Sequence, residues 1–98
     1  MGSTAYISDD SATLVGKGPV ILLSVLVGTT EPPPAGGITI DFHNVATDGA
    51  TLNDSNRKLR VLMAGTATHL SHTFDGVVFP KGLVVKASGA LHINVEFD

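Results

Sequence analysis

Leu91-His92-Ile93-Asn94-Val95-Glu96-Phe97 decides the fold. Apolar and polar side chains alternate along it without a break, the period of two that sets successive residues on opposite faces of a strand. One face is apolar and the other polar, as in an antiparallel strand buried on one side. The pattern recurs upstream in Ile38-Thr39-Ile40-Asp41-Phe42-His43 and in Leu59-Arg60-Val61-Leu62-Met63. Leu83-Val84-Val85-Lys86-Ala87 is a further strand, and Ser88-Gly89-Ala90 reads as the turn of a hairpin joining it to the last one. Tyr6 to Ser8 and Thr13 to Val15 read as a weaker hairpin turned by Asp9-Asp10, and Asp75-Gly76 reads as a turn between Thr73 and Phe79. No window of helical length repeats its apolar residues at helical spacing. With no helix to cover a sheet, a sheet must pack on another sheet or close on itself. The expectation is an all-β single domain spanning residues 1–98, an antiparallel two-sheet β-sandwich or jelly roll of about seven to nine short strands, with a small barrel as the alternative.

Residues 20–27, Val20-Ile21-Leu22-Leu23-Ser24-Val25-Leu26-Val27, break the alternation, because both faces are apolar. Such a strand is covered on both sides. One side is the core, and the other needs a loop or a second subunit. Strict alternation puts Val20, Leu22, Ser24 and Leu26 on one face, which is the candidate oligomer interface. The stretch is too short to span a bilayer, and Met1-Gly2-Ser3-Thr4 does not open a secretory signal. No membrane association is expected.

Composition narrows the functions. Cysteine is absent, which removes disulfides, thiolate metal sites and a cysteine nucleophile. A net charge of −3 argues against a nucleic-acid partner held through phosphates. The four histidines, His43, His69, His72 and His92, do not converge: the three-residue spacing of His69 and His72 puts them on opposite faces of a strand. No G-x-S-x-G elbow marks a nucleophile. Glu31 and Glu96, the only glutamates, sit in a proline loop and on the last strand and do not suggest a glycosidase pair. Gly16-Lys17-Gly18 lacks P-loop spacing, and Asp9-Asp10 and Asp48 to Asp54 lack the spacing of a calcium loop. No catalytic residue, metal or cofactor is expected. Arg57, Lys58 and Arg60 form the one basic cluster, and Glu31-Pro32-Pro33-Pro34 opens a stiff loop; both are candidate contacts to a partner.

The C-terminal third, Phe74-Asp75-Gly76-Val77-Val78-Phe79-Pro80-Lys81-Gly82-Leu83-Val84-Val85 followed by Ala87-Ser88-Gly89 and the terminal strand, resembles small all-β structural proteins of tailed bacteriophages. Gly18-Pro19-Val20-Ile21-Leu22-Leu23 resembles the first long strand of such chains. The proline loop and the histidines lie outside the pattern. The resemblance implies a capsid decoration or cement protein: a homo-oligomer, dimer or trimer, that sits on the virion surface and ties major capsid protein subunits together. A tail or fibre component is the nearest alternative. A carbohydrate-binding β-sandwich is a third, weakened by a supply of only one tyrosine and four phenylalanines for stacking sugars.

Overall fold

The structure, a computed structural model, describes residues 2–29 and 35–98. The candidate contacts Glu31, Pro32, Pro33 and Pro34 lie outside the described residues. Eight strands run in order: β1 (Ser3–Ile7), β2 (Thr13–Lys17), β3 (Val20–Gly28), β4 (Ile38–Asn44), β5 (Arg57–Met63), β6 (His69–Phe79), β7 (Gly82–Ala87) and β8 (His92–Phe97). They form two four-stranded antiparallel sheets, ordered β1-β8-β3-β6 and β2-β7-β4-β5, here called sheet one and sheet two. β4 pairs with β5, β3 with β6, β2 with β7 and β1 with β8. That is one long hairpin, four pairs deep. Rolling it up brings β8 beside β3 and β7 beside β4, which makes the fold a jelly roll. Two open sheets stacked face to face set the barrel alternative aside.

The alternating segments fall where their pattern requires. Ile38, Ile40 and Phe42 from β4 face Leu91, Ile93 and Val95 across the sandwich, with Leu83, Val85 and Ala87 from β7 beside the former. Phe42 meets the edge of Phe74 at 6.0 Å between ring centroids.

Two expected hairpins are absent. β7 and β8 belong to different sheets, and so do β1 and β2. Ser88-Gly89-Ala90 therefore carries the chain across the sandwich, and it is held to β4 by bonds from Ser88 N to Thr39 O (2.9 Å) and from Thr39 N to Ser88 Oγ (3.0 Å). In opposite sheets, β7 and β8 add their apolar faces to the one core between the layers. Asp75-Gly76 is not a turn either. It lies within the continuous strand β6, where Gly76 adopts φ +77° and the pairing with β3 skips from Thr73 to Val77.

β3 corrects the interface expectation. Leu22 pairs with Phe97 and Ser24 with Glu96, the next residue along β8, so Leu23 is an extra residue and β3 carries a β-bulge. The bulge shifts the phase of the alternation by one. Val20 and Leu22 point inward before it, and Val25 and Val27 point inward after it. Val20 and Leu22 are thus core residues and unavailable to a second subunit. Ser24 stays on the outer face, as does Leu26, which is 54% exposed and joined there by Ile21.

Candidate functional site

The outer face of sheet two carries the most structured polar site. β4 ends at Asn44, whose N–H donates to Asn56 O at 2.8 Å, so residues 45–56 leave the sheet and return to the same point. Asparagine side chains hold this excursion in shape, mimicking backbone turns. Asn53 Oδ1 accepts from the N–H groups of Ser55 (3.0 Å) and Asn56 (3.2 Å) and from Ser55 Oγ (2.6 Å). Asn56 Nδ2 donates to Thr51 O at 2.8 Å, and its Oδ1 accepts from Asn53 N and from His43 Nδ1. His43, on β4, is only 4% exposed. Its cross-strand neighbour Val84 is fully buried too, although it alternates with the core residues Leu83 and Val85. This end of the outer face is closed over.

Beside it lies a cavity of about 320 Å³. Asp41, His43 and Lys86 from the sheet line it, as do Leu52, Asn53 and Asp54 from the excursion. Arg57 and Arg60 from β5 complete the lining. Arg60 grips Asp41 with two bonds, Nε to Oδ1 at 2.7 Å and Nη2 to Oδ2 at 2.9 Å. Arg57 Nη1 donates to Asp54 Oδ1 at 2.9 Å and lies 4.0 Å from Asp41 Oδ2. Lys86 Nζ donates to the carbonyls of Asp10 and Ala87. The bond from Arg60 holds the Asp41 carboxyl below the ordinary aspartate range, outweighing the upward push of burial, and the charges of Arg60 and Arg57 add to it.

That shift has a sign. The unfolded chain binds a proton at Asp41 at a higher pH than the folded chain, so the stability that Asp41 adds rises with pH in that window. It is fully present above the ordinary aspartate value of about 3.9 and is lost as pH falls through the lowered folded value. The expected result is a urea midpoint that drops on acidification below about pH 4, with a shallower drop in Asp41→Asn. An equally steep drop in both proteins counts against the assignment.

The basic cluster is divided by a second irregularity. The pairing of β4 with β5 skips from Phe42–Leu59 to His43–Arg57. Arg57 and Arg60 therefore meet at Asp41, while Lys58 turns away, its Nζ bonded to Val78 O and 5.5 Å from the Phe79 ring centroid. His43 and His92 lie in different sheets. Among the described residues, no group of three or more His, Cys, Asp or Glu side chains is placed to hold a metal ion. Asp41 and Lys86 are missed by sequence reasoning. The usable signal is Lys86 as the one charge in the otherwise apolar β7 and Asp41 as the one carboxylate on the polar face of β4.

The outer face of sheet one is open. Register places Leu26 of β3, Asn94 of β8 and Tyr6 of β1 in one row across the sheet, and Ile21 of β3 beside Val78 of β6 in another. Tyr6, Leu26, Val78 and Ile21 are exposed. Tyr6 Oη bonds His92 Nδ1, and the two rings stack with centroids 6.0 Å apart. Ser24 Oγ donates to Glu96 Oε1 at 3.4 Å between the two rows. Comparison of the chain with protein families, with curated proteins and with solved structures finds no match.

Proposed function

We propose that the chain is a non-enzymatic structural component of a bacteriophage virion, a decoration protein whose copies associate and bind the major capsid protein on the shell surface. The observation that carries the reading is the outer face of sheet one, where Tyr6, Leu26, Ile21 and Val78 stand exposed in two rows. Sequence resemblance supplies the phage context. A second copy of the same face is the occupant that matches it. Burying four half-exposed side chains returns about 1 kcal/mol each. Taken from both copies, that reaches the lower part of the roughly 4–15 kcal/mol that association costs, so the whole face must take part. Residues 31–34 with Arg57, Lys58 and Arg60 serve as the shell contacts in this proposal.

Two measurements test it. Light scattering of the purified protein is expected to give a dimer or trimer, and Ile21→Asp with Leu26→Asp is expected to give a folded monomer. An unchanged mass in that variant removes this face as the interface. Antibody labelling of the phage particles that encode the chain is expected on the shell. Labelling of the tail tip overturns the decoration role.

A further inference from the structure

We infer that the cavity beside residues 45–56 binds a small carboxylate, with Arg57 as the residue that changes partner to receive it. The inference does not rest on the proposed virion role, although Arg57 and Arg60 serve in both. It rests on three features of the site.

The first is charge. Arg57, Arg60 and Lys86 line the cavity against two carboxylates, Asp41 and Asp54, which leaves a net charge of +1 in a protein whose total is −3. A concave, locally positive site raises the local concentration of anions, and an excess of one charge suits a monoanion.

The second feature is the difference between the two arginines. Arg60 is committed: both of its bonds go to Asp41, whose side chain is 16% exposed. Arg57 is not. Its direct partner Asp54 has a side chain 91% exposed, on the rim of the cavity. An ion pair to so exposed a carboxylate contributes little, because water solvates Asp54 nearly as well as Arg57 does. A ligand carboxylate can replace Asp54 like for like, meeting the same planar guanidinium fork while Asp54 turns into solvent.

The third feature is preorganisation. The bonds of Asn53 and Asn56 fix the wall of the cavity, and His43, nearly fully buried, is locked to that wall through its Nδ1. Leu52 gives the cavity one apolar side, so a carboxylate bearing a short hydrocarbon group fits better than a bare inorganic ion.

The test is a titration of the isotope-labelled protein with sodium acetate, sodium butyrate and sodium phosphate at constant ionic strength set by sodium chloride, read by amide chemical shifts. Saturable shifts are expected at Asn53, Asp54, Arg57, Arg60 and Lys86, at lower concentration with butyrate than with acetate. Arg57→Gln is expected to abolish them and Arg57→Lys to weaken them several-fold. Asp54→Asn is expected to tighten binding several-fold, because it removes the internal competitor. A structural role for the Arg57–Asp54 pair predicts no such gain. The inference is overturned if the shifts fail to saturate, if they survive Arg57→Gln, if Asp54→Asn leaves the affinity unchanged, or if phosphate binds while both carboxylates do not.

Discussion

Phe42→Ala is expected to remove about 3–5 kcal/mol of stability, which is most or all of the margin of a domain whose total lies in the range of about 5–15 kcal/mol. Phe42 is fully buried at the middle of β4, between Val85 of β7 and Leu59 of β5, and it carries the edge contact with Phe74. Truncation to alanine loses the transfer energy of the ring and leaves a cavity that two rigid sheets cannot collapse to fill. The chain contains no tryptophan, so the measurement is urea unfolding followed by far-ultraviolet circular dichroism. Phe42→Leu keeps most of the volume and should still unfold cooperatively, at a lower midpoint, which gives a reading if the alanine variant does not fold. Leu62→Ala on β5 serves as the reference: Leu62 is 56% exposed, and its loss should change stability by no more than about 0.5 kcal/mol. Equal effects at Phe42 and Leu62 would mean that the core does not lie between the two sheets.

The second large effect is expected from Gly82→Ala. Gly82 opens β7 immediately after the chain has left sheet one, and its φ of +143° lies in a region that L residues rarely adopt. A Cβ there would stand 2.7 Å from Val45 O and 2.9 Å from Gly16 O, both backbone atoms with no side-chain freedom to yield. Backbone strain of about 1–3 kcal/mol adds to an overpacking penalty of about 1–3 kcal/mol. Thermal unfolding of Gly82→Ala beside Gly49→Ala separates position from composition, since a Cβ at Gly49 meets nothing within 4 Å and φ there is not in the left-handed region. Similar midpoints for the two variants would exclude the close approach at Gly82.

Strands were legible wherever one face is apolar and the other polar. β8, β4 and β5 follow directly from Ile93 and Val95, from Ile38, Ile40 and Phe42, and from Leu59, Val61 and Met63. Which sheet a strand joins was not legible. Ser88-Gly89-Ala90 has the composition of a hairpin turn, yet it crosses the sandwich, because β7 takes its place between β2 and β4 and β8 between β1 and β3, pairings between segments distant in sequence. Phase was lost at Leu23 for a related reason. In a run apolar on both sides, a one-residue slip leaves no mark in the pattern, although it exchanges the two faces. That is how Val20 and Leu22 came to be expected at a surface that Ile21 and Leu26 occupy. The basic cluster was visible as sequence, but its division was not, because the irregularity between β4 and β5 that turns Lys58 away from Arg57 and Arg60 arises from pairing. Asp41 meets Arg60 and Lys86 as cross-strand neighbours drawn from three separate strands, a juxtaposition that local pattern does not encode.

The nested pairing of the strands also bears on how the chain reaches this shape. β4 and β5 enclose residues 45–56; β3 and β6 enclose that pair; β2 with β7, and then β1 with β8, enclose everything inside them. The entropy lost in closing a loop grows with its length. Once an inner pair has formed, the next pair outward closes only the few residues between them. Zipping outward from the asparagine-bound excursion therefore meets a series of short closures, whereas joining β1 to β8 first closes nearly the whole chain in one step. The segment that walls the cavity is, on this topology, also the hinge about which the remaining pairings form, even though the mean sequence separation of its contacts would class the fold among the slow ones.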